Sequence, residues 1–81
     1  MDDQTLAKQI GTLVRRLRAN SQLSQEEFAE RCGVHRTYIG HVERGEKSIS
    51  CETAAKLARA FDLTLGEFFV LVEHESRLKQ H

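Results

Sequence analysis

The 81 residues include no proline, only five glycines, and only four phenylalanines and one tyrosine among the aromatics. With 30% of residues charged, that shortage of chain breakers and aromatic rings favours a small helical protein over an all-β or disordered one. No apolar run approaches the ~20 residues needed to cross a bilayer. The acidic start Met1-Asp2-Asp3-Gln4 lacks the basic residues and apolar block of a secretory signal, so a cytoplasmic protein with no membrane partner is expected. Cysteine is scarce as well. Cys32 and Cys51 are the only two, and a reducing cytosol disfavours a disulfide between them, so both are expected to be small packing residues. A metal set of Cys32, His35, His41 and Cys51 lacks a second ligand pair at zinc-site spacing, and no metal or cofactor is expected.

There is also no excess of one charge, since 12 Lys and Arg face 12 Asp and Glu. The balance is uneven along the chain. Residues 8–47 carry eight Lys or Arg against five acids, whereas both flanking stretches are net acidic. So mild a positive bias implies modest non-specific affinity for nucleic acid and puts the weight on contacts to bases.

Leu6, Ile10, Leu13, Val14 and Leu17 recur at helical spacing and define a first helix over about 5–20, with Lys8, Arg15 and Arg16 on its solvent side and Asn20-Ser21 ending it. Ser24-Gln25-Glu26-Glu27 is a capping box opening a second helix, about 25–32, whose inner face is Phe28, Ala29 and Cys32 and whose stop is Gly33. A third helix over about 36–44 ends at Gly45. Ser50 caps a fourth, about 51–61, and Thr64-Leu65-Gly66-Glu67 opens a fifth, about 65–74, ahead of a polar tail expected to fray from Glu73 to His81. One domain spanning residues 1–81 is expected. The fifth helix has more apolar residues than one stripe holds, so Leu65, Phe68, Phe69 and Val72 are assigned to a homodimer interface.

The run from Leu23 to Gly45 combines Ser24-Gln25-Glu26-Glu27, the small Ala29, the turn at Gly33, apolar Val34, Ile39 and Val42, and the ending Glu43-Arg44-Gly45. It resembles the helix-turn-helix of the phage-repressor, Cro and XRE-type family. Arg36-Thr37-Tyr38-Ile39 ahead of Glu43-Arg44 in so short a chain most resembles the controller proteins of restriction-modification systems. The resemblance covers Leu6 to about Phe69. It implies an all-α, five-helix lambda-repressor-like domain and a sequence-specific transcriptional regulator. By the family pattern Glu43 pairs with an arginine late in the first helix, which by position is Arg18, in a partly buried salt bridge.

The residues point the same way. From Arg36 onward, positions 36, 37, 40, 41 and 44 share one helical face while Ile39 and Val42 turn inward, and no acid interrupts the outward set. An arginine at the start of such a helix can reach guanine O6 and N7 with two hydrogen bonds, and Thr37 can meet a base edge or a thymine methyl. Arg36, Thr37, Gly40, His41 and His35 are therefore the expected base contacts, Gly40 as a point of close approach to the groove. Ser24 and Gln25 at the start of the second helix, with Tyr38, Arg44, Lys47 and Ser48, are the expected phosphate contacts. The expected partners are a roughly palindromic DNA operator, a second copy of the chain and RNA polymerase at the promoter, with no small-molecule ligand. An antitoxin-like protein that binds a protein partner through the same fold is the competing reading. An enzyme is not expected, because the serines sit at caps and none of the four histidines has a Glu or Cys partner at catalytic spacing.

Overall fold

The computed structural model describes the backbone of residues 3–78 and the side chains of 5–75. Five helices follow one another: α1 (Asp3–Asn20), α2 (Gln25–Cys32), α3 (Arg36–Glu43), α4 (Cys51–Ala60) and α5 (Leu65–Leu78). Their starts are set by local side-chain chemistry. Ser24 Oγ accepts the Glu27 N–H at 3.0 Å while the Ser24 N–H donates to Glu27 Oε1 at 2.8 Å, and Thr64 with Glu67 repeats the arrangement at 3.1 and 2.8 Å. The backbone donation from Ser24 is the main reason the Glu27 carboxyl is held below the usual carboxylate range. Ser50 Oγ caps α4 by accepting the Thr53 N–H at 3.1 Å.

The first four helices end alike, each with paired backbone bonds around one left-handed residue. The outer bonds run from Leu23 N–H to Arg18 O (3.2 Å), Val34 to Ala29 (3.0 Å), Glu46 to His41 (2.9 Å) and Leu63 to Ala58 (2.9 Å). Gly33 and Gly45 take the left-handed conformation at no steric cost, but after α1 and α4 it falls to Gln22 (φ 60°) and Asp62 (φ 58°). α1 ends at Asn20 as expected, and the turn through Ser21 is closed by the left-handed Gln22.

α1 packs on both α3 and α5, while α2 packs on α3 and α4, and α4 on α5. The core between them is built from Leu13, Val14, Phe28, Ile39, Leu57 and Phe68, with the Phe28 and Phe61 rings stacked at 4.5 Å. Ala7 rather than Leu6 is buried at the start of α1, and Leu6 is 36% exposed.

Three expectations need correction. Phe68 and Val72 are fully buried within the chain, because α5 turns them against α1 and α4; they are unavailable to a partner. Cys51 is exposed at the first turn of α4 and is not a core residue, whereas Cys32 is buried. α5 also does not fray at Glu73: it runs to Leu78, since Glu75 is buried and its Oε1 accepts from Arg16 Nε at 2.6 Å, while the Arg16 side chain stays 42% exposed on the solvent side of α1. Residues 79–81, including His81 of the expected tail, lie outside the described residues. No described helix is long and apolar enough to cross a membrane.

Candidate nucleic-acid interface

The interface is built on α3, and α3 is held from behind by α1. A Cβ on Gly11 would lie 2.3 Å from the carbonyl oxygen of Val42 and 2.8 Å from that of Glu43. Only glycine permits so close an approach to the last turn of α3. Further along α1, Arg18 Nε and Nη2 donate to the two carboxylate oxygens of Glu43 at 2.6 and 3.0 Å, and Arg18 Nη1 donates to Leu23 O at 2.8 Å. The expected bridge is thus a two-point clamp. Gln25 Nε2 adds a third donor to Glu43 Oε1 at 3.0 Å, tying the start of α2 to the end of α3. The Glu43 side chain is 4% exposed and Arg18 17%, and the carboxylate raises the Arg18 pKa above its ordinary value against the opposing effect of burial.

So anchored, α3 turns Ile39 and Val42 into the core and leaves Arg36 and Thr37 exposed. Among the described residues Arg36 pairs with Glu26, at 3.5 Å between two largely exposed side chains; such a contact is worth little, and the guanidinium is readily recruited. His35 has a defined role as the N-cap of α3, its Nδ1 accepting the Thr37 N–H at 3.1 Å. That bond requires an unprotonated Nδ1, so the neutral ring carries its hydrogen on Nε2 and has a donor left for DNA. Gly40 is not open to the groove. It is buried beneath the Arg44 side chain, and a Cβ there would lie 3.2 Å from Arg44 Nη1, so the glycine makes room for an arginine lying back along the helix.

The absence of acid from this face also needs correction. Glu46, just beyond the turn at Gly45, brings Oε1 to 2.8 Å from His41 Nδ1 and 3.2 Å from Arg44 Nε. The His41 donation is the main reason the Glu46 carboxyl sits below the usual range, with Arg44 second. With Nδ1 donating to Glu46, the 3.4 Å approach of Arg44 Nη2 to the same nitrogen is not a hydrogen bond. His41 and Arg44 are therefore held by a carboxylate that a phosphate would have to displace.

Among the expected phosphate contacts, Ser24 uses its oxygen as the α2 cap and keeps its hydroxyl hydrogen, and Gln25 spends one of two amide hydrogens on Glu43. Tyr38 is half-buried against the core, while Lys47 and Ser48 are exposed. The arrangement presents a rigid helix with cationic and hydroxyl groups outward, flanked by donors at the start of α2 and after α3. Among the described residues no group of His, Cys, Asp and Glu could hold a metal ion.

A helix-turn-helix family model matches residues 14–68, most of the chain. This chain belongs to the helix-turn-helix family. The regulator is 46% identical over 52 residues to the control protein C.SmaI of Serratia marcescens, covering 64% of this chain and 62% of that one, so it spans under two thirds of that relative. The restriction-modification controller protein C.AhdI of Aeromonas hydrophila superimposes with a TM-score of 0.73 at 40% identity, over 78% of this chain and 96% of that one. The controller protein C.Esp1396I, solved as a tetramer on its natural 35-base-pair operator, shares the fold with a TM-score of 0.78 at 20% identity, over 86% of this chain and 92% of that one. The chain is a helix-turn-helix transcriptional regulator related to restriction-modification controller proteins.

Three residues around α3 and the turn after it escape a reading of the sequence. Gly11 did give a signal, because a mid-helix glycine costs about 1 kcal/mol against alanine and so calls for a packing reason. Glu46 stands only two residues beyond Arg44 and could have been placed on the same surface. Lys8 gave none, since its position beside Gly45 depends on how α1 crosses α3.

Proposed function

We propose that this regulator controls a restriction-modification system by binding a roughly palindromic operator as a homodimer, with α3 in the major groove. The observation that carries the reading is the clamp of Arg18 and Gln25 on Glu43, which fixes an α3 whose outward residues are Arg36, Thr37, His41 and Arg44. Arg36 reads a guanine, Thr37 the neighbouring base, His35 contributes through its Nε2, and His41 contributes once Glu46 is displaced. Ser24, Gln25, Tyr38, Arg44, Lys47 and Ser48 hold the sugar-phosphate strands and set the register. The names of C.SmaI and C.AhdI support the restriction-modification assignment, and the operator complex of C.Esp1396I supports DNA as the ligand.

Support for the dimer comes from what α5 leaves uncovered. Val70 is 63% exposed and shares a mostly apolar surface with the partly exposed Leu63 and Leu71, beside Glu67, that a two-fold partner would cover. Such a pair presents its two α3 helices one DNA turn apart, ~34 Å. RNA polymerase is the further partner of a regulator acting at a promoter. The test is selection of bound duplexes from a random pool. Two inverted half-sites about one turn apart are expected, whereas a single unrepeated site, or no enrichment, contradicts the reading.

A further inference from the structure

We infer that Lys8 of α1, together with Lys47 and Ser48, forms a phosphate-binding groove that extends the DNA contact beyond the helix-turn-helix onto the first helix. The inference rests on the DNA-binding reading above and adds a residue from outside the matched segment, residues 14–68. α1 lies directly on the turn that follows α3: a Cβ on Gly45 would fall 2.7 Å from Lys8 Cγ and 3.0 Å from Lys8 Cα. The Lys8 stem is thereby laid across Gly45. A groove of about 490 Å³ opens beside this contact, lined by Lys8 from α1 and by Arg44, Lys47 and Ser48 from the end of α3 and the turn after it.

The groove also contains Glu46, whose carboxylate is taken up by His41 and Arg44. Lys8 and Lys47 make no ion pair among the described residues. No backbone hydrogen bond within the described chain uses the N–H of Lys47 or Ser48. Two lysines and a serine, with no ion pair on either ammonium group and no backbone bond on the N–H of Lys47 or Ser48 among the described residues, thus line one concave surface, and that surface shares Arg44 with the outward face of α3. A phosphodiester oxygen is the ligand this donor set fits, since it offers charge and acceptors and no hydrogen to donate. The DNA backbone beside an α3 seated in the major groove supplies it.

The experiment is a salt titration of binding to a mixed-sequence duplex by fluorescence anisotropy. Each lost phosphate contact lowers the slope of log K against log salt by ~0.9. Lys8→Gln, which keeps the carbons over Gly45, is expected to lower the slope by about that amount with an unchanged melting temperature. Lys8→Arg should retain the wild-type slope, and Lys56→Gln on α4, outside the groove, should leave it unchanged. A Lys8→Gln slope equal to wild type, or a Lys56→Gln slope that falls as far, overturns the inference. The base-reading role of α3 fails separately: Arg36→Ala would then keep full preference for a selected duplex over the mixed one, whatever Lys8→Gln does to the slope.

Discussion

Arg18 and Glu43 sit 25 positions apart in the chain, yet the guanidinium and carboxylate meet at two points, with Leu23 O and Gln25 Nε2 filling further valences. A carboxylate so enclosed is costly to leave alone. Removing Arg18 strands it, and Arg18→Ala is expected to destabilise the fold by about 3 kcal/mol, the low end for a buried pair because the arginine is partly open to water. Urea unfolding of both single variants and the double should show strong coupling: the double loses much less than the two singles summed, and additive losses would contradict the clamp. The two thiols differ in a similarly checkable way. Burial pushes the Cys32 thiol up to about 11 from an ordinary 9.0, whereas Cys51 is exposed. A pKa raised on folding means that stability is intact below 9.0 and declines as pH rises toward 11, because only the unfolded chain ionises its thiol in that window. Between pH 8 and 10 the urea midpoint of wild type should therefore fall more than that of Cys32→Ala, and in native protein a thiol reagent should reach Cys51 alone; equal falls would show that Cys32 is not desolvated.

At the scale of elements, much of the fold was legible because its boundaries are written locally. Ser24 with Glu27, Thr64 with Glu67, Ser50, Gly33 and Gly45 each decide a helix end within a few residues, and α2 and α3 follow directly. What stayed hidden depends on distant partners. Glu75 extends α5 through Arg16, 59 residues earlier, and nothing near Glu73 announces that. Likewise the choice of Phe68 and Val72 for the inside and Val70 for the outside is made by α1 and α4, not by the run of apolar residues itself. Gln22 was illegible for a different reason: it occupies a left-handed position that glutamine takes only at a cost. Gln22→Gly should relieve that strain and raise stability by up to ~1 kcal/mol, whereas Gly11→Ala, driven into the α3 carbonyls, should lower it severely. Thermal unfolding would decide both, and a well-tolerated Gly11→Ala would refute the close α1–α3 contact.

At the scale of the whole molecule, zero net charge coexists with a cationic working surface because acids are used as structural partners there. Glu43 is consumed by Arg18, and Glu46 is taken up by His41 and Arg44. The proposed dimer rests on what the folded chain leaves bare. Val70→Glu should yield a folded monomer by sedimentation at micromolar concentration, since it charges the exposed side of α5. Phe68→Ala should instead cost roughly 3–5 kcal/mol of stability as a core cavity. A Val70→Glu protein that remains dimeric would move the interface elsewhere.

The central claim is that a clamped α3 reads bases through Arg36. Its most direct test compares wild type and Arg36→Ala on the selected operator and on versions with each base pair changed in turn. Wild type should lose about 1–3 kcal/mol at one guanine that Arg36→Ala no longer distinguishes, with the penalties at the other positions kept. An Arg36→Ala protein that retains every penalty would contradict the account.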